Sequence, residues 1–172
     1  MHRTRDHGRV TGSTHYRREP SGAGEVRREP VLPDRRVSIS TAKPLHAGDL
    51  RIRAWGATRE ECVAQTVSAL VAGFVPRLPR QTSATEFDVH GDTDVALLVG
   101  VLRTVISGIG ARNEIPVAAD VWAAPNGLRV RLGVADLAGV VAVGAVPKGV
   151  SAQHVRFAPR TDGWWCAACV DL

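Results

Sequence analysis

Val155-Arg156-Phe157-Ala158-Pro159-Arg160-Thr161-Asp162-Gly163-Trp164-Trp165-Cys166-Ala167-Ala168-Cys169-Val170-Asp171-Leu172 is the stretch from which the rest of the chain is read. Val155 to Phe157 forms one strand, Arg160 to Gly163 a turn and Trp164 to Val170 the return strand, so the segment predicts a β-hairpin. The hairpin carries Asp171 to a strand end. There a side-chain carboxylate, a terminal carboxylate and a backbone carbonyl gather hard oxygen donors of the kind that attract a divalent cation. What else the fold brings to that strand end decides the function.

Outward from the hairpin, Lys148-Gly149-Val150-Ser151 precedes it, and Val140 to Val146 is apolar but broken by Gly144 and closed by Pro147. Ile115 to Ala123 and Leu128 to Val134 read as strands joined by a Pro125-Asn126-Gly127 turn, with the glycine supplying positive φ. Val95, Leu97, Leu98, Val101, Leu102, Val105 and Ile106 form a helical stripe, capped by Asp92 or Thr93 and ending near Gly108. Thr85 to His90 alternates as a strand. Cys62, Val63, Val67, Leu70, Val71 and Phe74 recur at three and four residues behind a Thr58-Arg59-Glu60-Glu61 capping box, predicting a helix to about Val75. Leu50 to Trp55 alternates with period two and ends at Gly56. Two helices, six or seven strands and successive hairpins define an α+β protein, with both helices packed on one face of a mostly antiparallel sheet or sandwich.

The chain has 172 residues, 44% of them hydrophobic, which suffices for one core. Residues 1–36 hold nine arginines against five acidic residues and almost nothing apolar, and read as a disordered Arg-rich tail. Residues 37–172 form the domain, whose net charge is only +1, so a basic domain surface is not expected. The tail reads as a solvated extension or the product of a start codon placed too early; in the alternative reading its arginine pairs at 17–18, 27–28 and 35–36 would touch nucleic-acid phosphates. No uninterrupted apolar stretch approaches the roughly 18 to 20 residues of a membrane span, and no apolar leader is seen, so a cytoplasmic protein with no membrane partner is expected. Three cysteines do not make a disulfide framework. Cys166 and Cys169 spell C-x-x-C, but residues three apart on a strand face opposite sides, which argues against zinc or redox chemistry. Trp55, Trp122, Trp164 and Trp165 read as core and sheet-face aromatics, since no basic groove accompanies them. His90 and His154 read as surface or half-buried strand positions. No nucleophile with a base, and no phosphate-cradling glycine loop, stands at readable spacing.

His46-Ala47-Gly48-Asp49-Leu50-Arg51-Ile52-Arg53-Ala54-Trp55-Gly56 resembles the archease signature, in which a His-Thr-Ala-Asp stretch opens a strand ending in aromatic-Gly. Lys148-Gly149-Val150-Ser151 resembles that family's Lys-Ala-Val-Thr, followed at the family's spacing by Asp162-Gly163-Trp164 and a closing Asp171-Leu172. The resemblance spans residues 44–172. It implies a non-enzymatic accessory protein of tRNA splicing and RNA repair that promotes guanylylation of the RNA-splicing ligase, touching RNA only indirectly. It also implies a divalent metal, calcium in the usual assignment, bound by Asp49, Asp171 and Leu172 through a backbone or terminal oxygen, with Lys148 as a nearby functional cation. Lys148 is one of two lysines beside twenty arginines, which fits a need for a compact point charge.

The sequence also departs from the family. Ala47 replaces the Thr and Gly48 the Ala, Gly100 to Thr104 lacks the usual acidic and amide residues, and the Tyr-His pair after Lys-Ala-Val-Thr appears as Ala152-Gln153. His46 reads as a structural or capping histidine rather than a ligand. The alternative function is a divergent archease-fold binding or chaperone-like module without a ligase partner. A hydrolase built on Asp49 and Asp171 is disfavoured for want of a general base.

Overall fold

The computed structural model describes residues 37–40 (main chain only), 48–141 and 144–172. The tail at 1–36, together with His46, Ala47 and part of the apolar run after Val140, lies outside the described residues.

The strands are β1 (Val37–Ser40), β2 (Asp49–Gly56), β3 (Ser83–His90), β4 (Glu114–Ala124), β5 (Gly127–Asp136), β6 (Gly149–Val150), β7 (Arg156–Arg160) and β8 (Gly163–Asp171); the helices are α1 (Arg59–Ala72) and α2 (Asp94–Arg112). They form two sheets, one ordered β1-β2-β8-β6 with β7 also paired to β8, the other β3-β5-β4. Every pairing is antiparallel. The α+β class with two helices on antiparallel sheets is therefore observed, with the strands divided between two sheets. α1 packs on β2 and β4, and α2 on β3, β4, β6 and β7, so both helices touch both sheets.

Alternation explains the packing. Leu50, Ile52 and Ala54 of β2 and Cys166, Ala168 and Val170 of β8 are buried opposite one another, while Leu128, Val130, Leu132 and Val134 line the inner face of β5. Both helices add apolar stripes to this core. α2 is long and apolar enough to cross a membrane by length and composition alone (19 residues, mean hydropathy 1.7). Here, however, Leu98, Val101, Leu102 and Ile109 are fully buried inside the protein.

The helix caps follow the sequence. Thr58 Oγ1 accepts from the Glu61 N–H at 3.1 Å, and Glu61 Oε2 accepts from the Ala57 N–H at 2.8 Å, one residue earlier than the usual reciprocal bond. Thr93 caps α2 through the Ala96 N–H. α2 continues past Gly108 to Arg112, because Ile109 is a core residue and Asn113, at φ 53°, supplies the left-handed C-cap. The β4–β5 turn also differs from expectation. Asn126, not Gly127, has positive φ (56°), and Gly127 is required because a Cβ there would run into the Val89 carbonyl. Among the described residues Val140 and Val141 and 144–148 form no strand, and His154 sits on a short 3-10 turn (Ala152–His154), not on a strand. Pro116 is accommodated on the edge strand β4 beside a register shift between Pro116 and Ala118.

Candidate functional site

β2 and β8 run antiparallel from Gly56↔Trp164 to a last rung at Asp49↔Asp171. The Leu172 N–H donates to the Gly48 carbonyl at 2.9 Å, which makes Asp49 and Asp171 a non-hydrogen-bonded pair, the class whose side chains approach most closely. Cβ separations in such pairs are about 4.5–5.5 Å. The next rung, Leu50↔Val170, points into the core, so both carboxylates stand on the outer face of the sheet. Among the described residues no Lys or Arg side chain forms an ion pair with either. Gly48, a departure from the family signature, has φ +123°, where an alanine would be strained.

β6 brings in the second motif. Gly149 pairs with Asp171, and the Lys148 N–H donates to the Asp171 carbonyl at 2.8 Å. The exposed Lys148 Nζ donates to the Leu172 carbonyl at 3.2 Å, so the ammonium is tied to the main chain beside the carboxylates. A Cβ on Gly149 would lie 3.2 Å from Asp171 Oδ2, so the glycine leaves the carboxylate room on that side. Beyond it, Arg103 and Ser107 of α2 join Lys148 and Gly149 in lining a cleft of about 640 Å³. Sequence reasoning missed Arg103. It lies on the polar side of α2, and only tertiary packing brings it to Lys148.

Asp49, Asp171, Leu172 and Lys148 thus come together as a unit. Among the described residues no third His, Cys, Asp or Glu completes a metal cluster with the two carboxylates. A hard cation here would draw on two carboxylates, main-chain oxygen and water, a set that suits calcium or magnesium and not zinc. Cys169 lies two rungs inward, on the same face, with 8% exposure. Burial and the Asp49 charge push its thiol up. Cys166 faces the core, where its thiol lies 2.8 Å from Thr66 Oγ1. A hydrogen bond with Cys166 and burial push the neighbouring Cys62 thiol up. The C-x-x-C cysteines therefore occupy opposite faces. His90 is exposed at the end of β3 on the smaller sheet, and the exposed His154 lines a trough with Arg51 and Cys169.

Gly100 does not face this site. A Cβ there would meet Val89 Cγ1 at 2.5 Å, so the glycine seats α2 against β3, and Thr104 returns its hydroxyl to the Gly100 carbonyl.

The model of the Archease protein family matches residues 44–172. Two Mycobacterium tuberculosis proteins, each described as a probable archease, are 36% identical over 128 residues, covering 74% of this chain and 72% of theirs. A Thermotoga maritima archease described as a possible chaperone superposes with a TM-score of 0.54 at 18% identity, covering 77% of this chain and 98% of that one. Antiparallel sheets holding two helices, with the signature segments meeting at one strand end, define an archease-type fold. The chain belongs to the archease family.

Proposed function

We propose that this protein is a non-enzymatic accessory factor that binds a divalent cation, calcium by preference, between Asp49, Asp171 and the Leu172 carbonyl, and promotes guanylylation of an RNA-splicing ligase. The observation that supports this most is the Asp49↔Asp171 rung itself. Like charges directly opposite on neighbouring strands destabilise a sheet, and nothing among the described residues neutralises them by ion pairing. Such an arrangement is useful where a cation is bound. The cation would offset the repulsion and hold the strand end, with its Lys148 ammonium, in one geometry. Lys148 adds a compact positive charge beside a cleft that also holds Arg103, a combination suited to a partner's phosphates. Family membership supports an accessory role, and among the described residues no nucleophile with a base is assembled at the site to suggest catalysis of its own.

The experiment is guanylylation of a purified RNA-splicing ligase with limiting and saturating amounts of this protein. Stimulation is expected for the wild type. Lys148→Ala should lose most of it while retaining calcium binding, because it removes a functional charge and no ligand. A ligase that turns over equally with and without the protein contradicts the proposal and favours an archease-fold module with another partner.

A further inference from the structure

The outer face of the larger sheet continues from the acidic rung into a basic one. Along β2 the alternation that exposes Asp49 also places Arg51, Arg53 and Trp55 on this face, and along β8 it places Cys169, Ala167 and Trp165 opposite them. β7 completes the row: Arg156 pairs with Ala167, so Arg53 and Arg156 flank one small residue from its two neighbouring strands. The trough over Ala167 measures about 280 Å³. At its far end Trp55 and Trp165 are register partners, both half-buried, and the Arg160 guanidinium lies 4.9 Å over the Trp165 ring.

The two sheets treat their arginines differently. On the outer face of the smaller sheet Arg129 is held by both oxygens of Asp88, at 2.9 and 3.1 Å, and Arg131 stands 3.6 Å from Glu86. On the larger sheet Arg51, Arg53 and Arg156 have no carboxylate partner among the described residues; Arg156 donates only to the Gln153 and Val155 carbonyls. Among the described residues, a near-neutral domain therefore carries a stripe of arginines without carboxylate partners, and it leads to two tryptophans. Arg51 and Arg53 are spaced about 7 Å apart along the strand. A line of guanidinium groups beside aromatic side chains on one sheet face matches a strand whose phosphates pair with arginine while its bases stack on aromatic or guanidinium planes. An acidic protein segment would use the charges and leave the tryptophans unexplained.

We propose that this face, from Arg51 to Trp165, binds single-stranded RNA directly. The choice of RNA rests on the proposed ligase role; the charge and aromatic pattern stand without it. The test is fluorescence anisotropy of a labelled oligouridine with the full chain, repeated over a salt series. Arg53→Ala/Arg156→Ala should weaken binding about tenfold or more. It should also flatten the log–log salt dependence by about 1.4, the loss expected for two phosphate contacts on a single strand. Arg129→Ala/Arg131→Ala, the same charge change on the other sheet, should leave both unchanged. RNA addition should quench tryptophan fluorescence in the wild type and less in the double variant. Wild-type affinity and slope in the double variant would overturn the proposal, assigning any RNA contact to another part of the chain. So would absence of binding at about 100 µM protein, the weak end of non-specific affinity. Ligase guanylylation assayed on the same preparations separates this inference from the function above. RNA affinity lost with stimulation intact supports an RNA face independent of ligase docking, whereas stimulation lost with RNA affinity unchanged makes the stripe a protein-docking surface and overturns it.

Discussion

Asp49 and Asp171 repel each other across one rung when no cation lies between them. In the presence of a chelator, Asp171→Asn should therefore raise the melting temperature by about 2–4 °C, corresponding to about 0.5–1 kcal/mol for removing a like-charge cross-strand pair. Thermal unfolding with and without calcium checks this: the wild type should gain stability from the ion and the variant should not. At the same scale, the thiols differ by position. Cys62 and Cys166 are fully buried and Cys169 nearly so, so none is accessible to a bulky reagent in the native protein. A native Ellman titration near pH 8 should find less than one reactive thiol and a titration in guanidinium all three. Stoichiometric fast labelling of the native protein contradicts the burial described. The Asp49–Asp171 contact was not legible from local pattern. The two residues sit at opposite ends of the domain, nothing in either segment sets a strand register between them, and only resemblance to a family paired them. The hard-donor character of Asp171 was legible; Arg103, Arg51 and Arg53 as neighbours of functional groups were not, because their importance depends on which strands and helices lie beside them.

At the scale of elements, periodicity carried most of the information. The alternation of Leu50 to Trp55 corresponds to β2 within a residue or two, whereas the helix expected to about Val75 ends at Ala72 and the first hairpin strand, expected at Val155 to Phe157, runs on to Arg160. Local signals failed where tertiary packing overrode them. Gly108 did not stop α2, since Ile109 still had core to enter, and Gly127 is needed for close approach to β3, not for turn geometry. Gly100 shows the same thing and gives a test. Adding a methyl group there presses on Val89, so Gly100→Ala should cost about 1–3 kcal/mol despite alanine's better helix propensity. Val89→Ala, which opens space at the contact, should recover part of that loss in a double-mutant cycle by chemical denaturation. Gly100→Ala as stable as the wild type would mean that α2 is not seated as described.

For the whole molecule, β8 holds the larger sheet together, pairing with β2 on one side and with both β6 and β7 on the other. That centrality explains how the last strand gathers residues from the start, middle and end of the domain at one corner. Composition described the domain as nearly neutral, and by sum it is; it concealed the segregation of paired arginines on one sheet and unpaired ones on the other. A count of charges carries no information on which face they occupy, whereas register does. The cation site at the Asp49–Asp171 rung is open to isothermal titration of the metal-free protein with calcium. One site is expected, with an affinity in the weak range of two carboxylates, about 10⁻⁴–10⁻³ M, and loss of the binding heat in Asp49→Asn. No heat from the wild type at millimolar calcium and magnesium, or the same heat from Asp49→Asn, would contradict it.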